Sequence, residues 1–328
     1  MATQQYHTQY ARYKARFETR LDGLIENTEP ACIYQPITYV LRAGGKRVRA
    51  VLVLLACESV GGSSRSALPA ACAIEILHNF TLVHDDVMDH SPLRRGRPTV
   101  HTKWDTNVAI LSGDELVAYG YASLLETNVP TLPAMMKVFT NAFIEVCEGQ
   151  GYDKEFETRR NVTVEEYLMM IRKKTARVIS AACELGALAG NGTPGEVRTL
   201  KTFGEALGMA FQLQDDFLDI AGTEQQLGKP IGGDVMEGKK TFLFLNAFER
   251  ATSKDKKILD DVIHHRAKGK DIVPDVLRIY ERTGALAETQ RQVSLYTSKA
   301  QRALLRLKPG TARSMLHSLS EQLLERNS

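Results

Sequence analysis

The 328-residue chain has few cysteines, no long apolar run and no large excess of charge of either sign. Its five cysteines, Cys32, Cys57, Cys72, Cys147 and Cys183, are scattered, odd in number and never spaced as C-x-x-C. That spacing argues against a disulfide framework and a thiolate metal site, and it fits small core hydrophobes kept reduced in a cytoplasm. No window approaches the roughly 18 apolar residues needed to span a bilayer, so no transmembrane segment is expected. The opening MATQQYHTQYARYKARF has no apolar stretch of a signal peptide. A net charge of +3 leaves no polyanion footprint, so nucleic acid is not an expected partner. Alternating strand patterns are missing as well, which argues against a doubly wound sheet. With 43% hydrophobic and 25% charged residues, the composition is that of an ordinary globular protein.

What is present is helical periodicity almost throughout. The spacing predicts helices over 4–27, 31–42, 47–59, 67–90, 102–127 and 131–148. Thr163-x-x-Glu166 is a capping-box pattern that opens a helix running to about Gly190. Thr193-Pro194-x-Glu196 is another, with proline at the first helical position of 194–221. Further helices are expected over 239–251, 255–268, 272–283, 285–307 and 311–326. The expected fold is all-α, one domain over 1–328, with the helices packed around a central cleft.

The string Asp-Asp-x-x-Asp occurs twice, as Asp85, Asp86 and Asp89 and as Asp215, Asp216 and Asp219. Each copy ends an apolar helical run. Residues four apart share a helix face, so Asp85 stacks on Asp89 and Asp215 on Asp219. Like charges so placed destabilise a helix, and more so near a buried stretch, unless a cation binds them. Two such clusters suggest two walls of a cleft that holds hard cations. Magnesium suits them: it takes one or two carboxylates, keeps several waters and fills its remaining positions with substrate phosphate oxygens.

Three basic stretches supply anion sites. Arg94, Arg95 and Arg97 follow the first acidic cluster, Gly44-Gly45-Lys46-Arg47-Val48-Arg49 precedes it, and Lys229 to Lys240 follows the second. The inventory implies two diphosphate-bearing substrates, or one substrate with many phosphates. Blander readings exist for each part. A single acidic triplet is usually a solvated helix surface, and GGKR alone is usually a helix stop. Gly233-x-x-x-x-Gly238-Lys239-Lys240 mimics a P-loop, but Lys240 stands where a hydroxyl should be and no strand precedes it. His84-Asp85, with His78 nearby, could instead serve a metal phosphohydrolase.

Order and spacing from GGKRVR at 44 to GKKT at 238–241 resemble the trans-isoprenyl diphosphate synthases, or polyprenyl synthetases, over nearly the whole chain. The intervening matches are DDVMD-x₄-RRGRPT at 85–99, KT at 174–175 and FQLQDDFLD at 211–219. The resemblance implies a homodimeric all-α bundle around a deep central cavity. It implies a prenyltransferase that joins isopentenyl diphosphate head to tail to an allylic diphosphate, using three Mg²⁺ ions. It assigns the metal to Asp85, Asp89, Asp215 and Asp219, with Asp86 in support. Arg94, Lys229 and Lys239 match residues that hold the allylic diphosphate. Lys46, Arg49, His78 and Arg95 match the isopentenyl diphosphate pocket, and Lys174, Thr175 and Gln212 the group lining the reacting carbons. Two departures stand out: Ala50 replaces the usual proline after GGKRVR, and TFLFL at 241–245 replaces TLPL.

Product length is a question of depth behind Asp85. Thr81 and Leu77 lie four and eight residues back on roughly its face, and Phe80 five back on the flank, on the order of 7 Å below the metals. In the family a bulky residue there limits elongation. The expected product has about twenty carbons (geranylgeranyl diphosphate), with fifteen next. A longer-chain synthase and a terpene cyclase are the alternatives.

Overall fold

A computed structural model describes residues 2–25, 28–223, 231–264, 266 and 272–325, and these are helical almost everywhere. Among them, strand structure is confined to a two-residue pair, β1 Leu93–Arg94 with β2 Arg97–Pro98, antiparallel in register Leu93 to Pro98. The chain clusters into two compact units, and the boundaries between them fall largely within helices.

The first unit comprises Met1–Phe143, Ala181–Lys201 and Arg306–Leu316. It holds α1 (Ala2–Asp22), α2 (Ala31–Leu41), α3 (Val48–Ser59), α4 (Leu68–Met88), α5 (Val100–Lys103) and α6 (Thr106–Leu125). It also takes the start of α7 (Leu132–Thr158). Helix α3 is apolar on every side, and the stretch Ala50–Cys57 is fully buried, as such a helix must be. Helix α4 packs chiefly against α6 and α3. Sequence periodicity reads 102–127 as one helix, but Asp105 breaks it. Its backbone is extended, and its side chain accepts the Val108 N–H at 2.9 Å as the cap of α6.

The second unit comprises Ile144–Ser180, Thr202–Leu305 and His317–Ser328. The capping box at Thr163 is present in full and opens α8 (Val164–Ile171). One π turn, Arg172–Ala176, then separates α8 from α9 (Arg177–Ala189). Helix α10 (Pro194–Ala221) starts on the second capping box, with Thr193 N–H donating to Glu196 Oε2 at 2.8 Å. The remaining helices are α11 (Gly233–Met236), α12 (Phe242–Arg250), α13 (Ser253–Ile263), α14 (Ile272–Arg282), α15 (Ala285–Leu304) and α16 (Thr311–Glu325). Phe156, Leu213, Phe242, Leu259 and Ile279 anchor the core of this unit. Each such side chain contributes about 1.5–3 kcal/mol on burial.

Candidate active site

Both acidic clusters lie within the last two turns of a long helix or at its cap, and neither α4 nor α10 has a basic residue in its last turn. A helix C-terminus carries the negative end of the macrodipole, so carboxylates there are disfavoured until a cation arrives. In the first unit Asp85 is half-buried and Asp89, the residue capping α4, is exposed. Asp86 turns inward and accepts from Arg94 through Nε at 2.8 Å and Nη2 at 2.7 Å. Burial pushes the Asp86 carboxyl up, while Arg94 holds it down.

Beside this cluster the chain gathers cations. Arg47 takes the left-handed conformation (φ 55°) that starts α3, donates to Leu41 O at 2.5 Å and lies 3.5 Å from the buried Glu75 carboxylate. Arg95 donates from Nη1 to Gly44 O at 2.5 Å. A side chain at Gly45 would sit 2.9 Å from that guanidinium, so the glycine pair is the seat of Arg95. Arg49 Nε is buried with no protein partner. Burial lowers the Arg49 pKa, with Glu75 opposing the shift and Arg95 adding to it. His78 is held well below the ordinary imidazole range by burial and by Arg49, Arg95, Arg94 and Arg47. Arg49, Arg95, Arg94 and Arg47 thus all lie near enough to disfavour a proton on His78. Lys46 is exposed beside them in the chain, and its carbonyl accepts from Tyr10.

In the second unit Asp215 is half-buried, whereas Asp216 and Asp219 are only 4% and 2% exposed. Asp216 accepts from the Tyr167 hydroxyl and, at 3.0 Å, from Gln212 Nε2. Burial and the nearby carboxylates of Asp234 and Asp215 push Asp216 up to about 8. Asp219 accepts the Asp234 N–H at 2.8 Å and ties down the turn that begins α11. Lys239 contacts Glu237 at 2.6 Å and lies 3.8 Å from Asp234; burial works against its charge, but those carboxylates prevail and raise its pKa. Lys229 lies outside the described residues. Thr175 donates to Gln212 Oε1 at 2.9 Å, and Lys174 Nζ donates to Asp153 Oδ2 at 2.6 Å.

A family model for polyprenyl synthetases matches residues 30–280. The chain belongs to the polyprenyl synthetase family. It is 36% identical to a short chain isoprenyl diphosphate synthase of Methanothermobacter thermautotrophicus, over 96% of this chain and 97% of that protein. It is 43% identical to a geranylgeranyl diphosphate synthase of Methanosarcina mazei over 73% of this chain and 74% of that one. The fold matches the crystal structure of geranylgeranyl pyrophosphate synthetase from Pyrococcus horikoshii with a TM-score of 0.91, at 36% identity, over 98% of this chain and 99% of that one. Polyprenyl synthetases are prenyltransferases that work with divalent metal ions, and this chain is a prenyltransferase. No helix among the described residues is long and apolar enough to cross a membrane.

The donor set fits the metal ions of a polyprenyl synthetase. Among the described residues no three His, Cys, Asp or Glu side chains gather as a ready-made cage. Magnesium needs none, since it uses one or two carboxylates and borrows phosphate and water. The accessible carboxylates are Asp85, Asp89 and Asp215. Sequence reasoning missed Asp153, which holds Lys174. It missed Phe143 as well, whose ring meets Phe80 edge-on at 5.4 Å; the His84 ring also lies 4.7 Å from Phe80. Behind Asp85, Leu77 is fully buried, and Thr81 turns its hydroxyl back to His78 O at 2.8 Å.

Proposed function

We propose that this prenyltransferase condenses isopentenyl diphosphate with an allylic diphosphate to a prenyl diphosphate of about twenty carbons. The observation that carries the reading is Arg49: a guanidinium with a buried, unpartnered Nε that acts with Arg47 and Arg95 on His78, on the helix just before the one that bears the first acidic cluster. Glu75 offsets only part of this charge, so a bound anion stabilises the cluster further, and a diphosphate supplies paired oxygens for the arginine fork.

Lys46, Arg49, His78 and Arg95 hold isopentenyl diphosphate in this scheme. Asp85, Asp89 and Asp215 would hold the magnesium ions, three per site, which would supply charge neutralisation for the departing diphosphate. Asp219 acts on the same site by fixing the α11 turn, and Asp86 by fixing Arg94. Arg94, Lys229 and Lys239 bind the allylic diphosphate. Once its carbon–oxygen bond breaks, the allylic cation is stabilised by oxygen dipoles around Lys174, Thr175 and Gln212. The π electrons of isopentenyl diphosphate then form the new carbon–carbon bond, and a proton leaves to the released diphosphate. Apolar walls keep water from quenching the cation. Phe80, backed by Phe143 and His84, forms the floor for the growing tail, with Thr81 and Leu77 above and below it on α4.

The two compact units work as one polyprenyl synthetase domain in this scheme. The active form is a cytoplasmic homodimer. Exposed Ile110, Leu111 and Leu125 on α6 support a second copy packing there. The test is direct: incubate the protein with Mg²⁺, labelled isopentenyl diphosphate and each allylic primer, and size the products. Twenty-carbon diphosphate is expected. Phosphate release without chain growth, or a cyclic hydrocarbon, would overturn the proposal.

A further inference from the structure

The π turn Arg172–Ala176 interrupts what would otherwise be one helix from Val164 to Ala189. Its closing bond runs from Arg177 N–H to Arg172 O, five residues back. Single π turns inside α-helices cost regular hydrogen bonding and concentrate at functional sites. Something has to hold this one open, and two glycines touch it. A Cβ on Gly149 of α7 would lie 2.7 Å from Lys174 Cα and 2.9 Å from the Lys173 carbonyl carbon. A Cβ on Gly208 of α10 would lie 2.5 Å from Ala176 Cα and 2.8 Å from Ala176 Cβ. Non-bonded carbons settle at about 3.5–4.0 Å, so only glycine lets these backbones come so near. Gly151, two residues along α7, meets nothing within 4 Å.

The same two helices also hold the tips of the turn's side chains. Asp153 is four residues beyond Gly149 and therefore on its face of α7; it takes the Lys174 ammonium at 2.6 Å. Gln212 is four residues beyond Gly208 on α10; it takes the Thr175 hydroxyl at 2.9 Å. Gln212 is itself anchored to Asp216 at 3.0 Å. Each helix thus offers a bare glycine to the backbone and, one turn later, a polar side chain to the tip.

We propose that Gly149 and Gly208 are positioning residues for prenyl transfer: they seat the π turn so that Asp153 and Gln212 can hold Lys174 and Thr175 at the reacting carbons. The inference rests on the role given above to Lys174 and Thr175. Displacing that turn by a few tenths of an ångström moves the oxygen dipoles that face the cation, and misplacement of about 1 Å costs on the order of a hundredfold in rate.

The experiment compares Gly149→Ala, Gly208→Ala, Gly151→Ala and Ala176→Gly with the unaltered protein. Steady-state kinetics are paired with binding of a trialkylammonium mimic of the allylic cation in the presence of inorganic diphosphate. Gly149→Ala and Gly208→Ala should lower kcat about ten- to a hundredfold. KM for isopentenyl diphosphate should hold within about threefold, because Arg49, His78 and Arg95 are untouched. Affinity for the ammonium mimic should fall in step with kcat, a change that a purely structural role would not produce. Gly151→Ala should match the unaltered protein. Ala176→Gly removes a methyl from the same contact and cannot fail by overlap; it should lower kcat and mimic affinity about two- to fivefold. Folded glycine variants with unchanged kcat and mimic affinity overturn the inference. If those variants do not fold, an unchanged Ala176→Gly overturns it and a weakened one supports it. An unaltered protein that transfers no prenyl group removes the underlying functional reading instead.

Discussion

In the first acidic cluster the middle carboxylate, Asp86, faces the guanidinium of Arg94; in the second its counterpart, Asp216, faces a phenol and an amide. The last carboxylates differ as well. Asp89 is exposed, while Asp219 is buried and spends an oxygen on the Asp234 N–H. The string is the same in both units, yet one copy presents two carboxylates outward and the other presents one. A motif reports which residue types are available. Neighbouring donors decide which of them turn inward and which stay open to solvent.

The largest effect expected from this contrast is on turnover. Asp85→Ala should reduce prenyl transfer by a factor of about 10³ or more, since it removes charge stabilisation worth at least about 4 kcal/mol in the transition state. Its helicity by circular dichroism and its denaturant midpoint should hold or rise, because the change relieves a carboxylate at a helix C-terminus. Asp219→Ala should also lose activity, but with a lowered midpoint. It leaves the Asp234 N–H without its acceptor, at a cost of about 1–3 kcal/mol. Equal stability in the two variants would erase the distinction drawn between the clusters.

The next effect is on substrate binding. Arg49→Ala should raise KM for isopentenyl diphosphate about ten- to a hundredfold, in keeping with about 1.5–3 kcal/mol for a charge-assisted contact. KM for the allylic primer should change far less. A uniform rise in both would dissolve the separation of the two diphosphate pockets.

Much of this was legible in the sequence, and the remainder fails for one physical reason. Helix periodicity, the two capping boxes and the acidic strings are local patterns, and the structure has all of them. Thr175 and Gln212 bond to each other, although they are 37 positions apart in the chain, while the Lys174 side chain goes to Asp153. Spacing along one chain does not say which backbones approach each other, however. The periodicity predicts a helix that ends at 148, yet α7 runs on to Thr158, and Gly149 within it admits the backbone at Lys174. The π turn, Asp153 and Phe143 are invisible for the same reason: each is defined by its partner on another helix.

A smaller effect is expected on stability as the pH falls. His78 in the folded protein lies well below its ordinary value of about 6.5, owing first to burial and then to Arg49 and its neighbours. Between that depressed value and about 6.5 the unfolded chain binds a proton that the folded chain refuses, so stability rises with pH. The contribution is complete above about pH 6.5 and is lost on acidification at up to about 1.4 kcal/mol per unit. Denaturation midpoints at pH 7.0 and 5.5 should therefore differ less in His78→Gln than in the unaltered protein. Saturating isopentenyl diphosphate should shrink the difference further, because a bound anion offsets the arginines. A pH slope unchanged by the substitution would remove His78 from the anion cluster.

The smallest change in rate belongs to the floor behind Asp85, where the readout is product identity. Phe80 is buried and packs against both Phe143 and His84, which support its ring. Phe80→Ala opens space along α4 toward Leu77, and each added isoprene unit needs only a few ångströms more depth at about 1.5 Å per residue. Products should shift to twenty-five carbons and beyond on chromatography of the hydrolysed alcohols, with kcat within about fivefold because the charged groups are untouched. Phe143→Ala should shift the same distribution less, since it removes the support and leaves the ring in place. If Phe143→Ala lengthens the product and Phe80→Ala does not, the floor belongs to α7, and the depth measured back from Asp85 along α4 does not set the product.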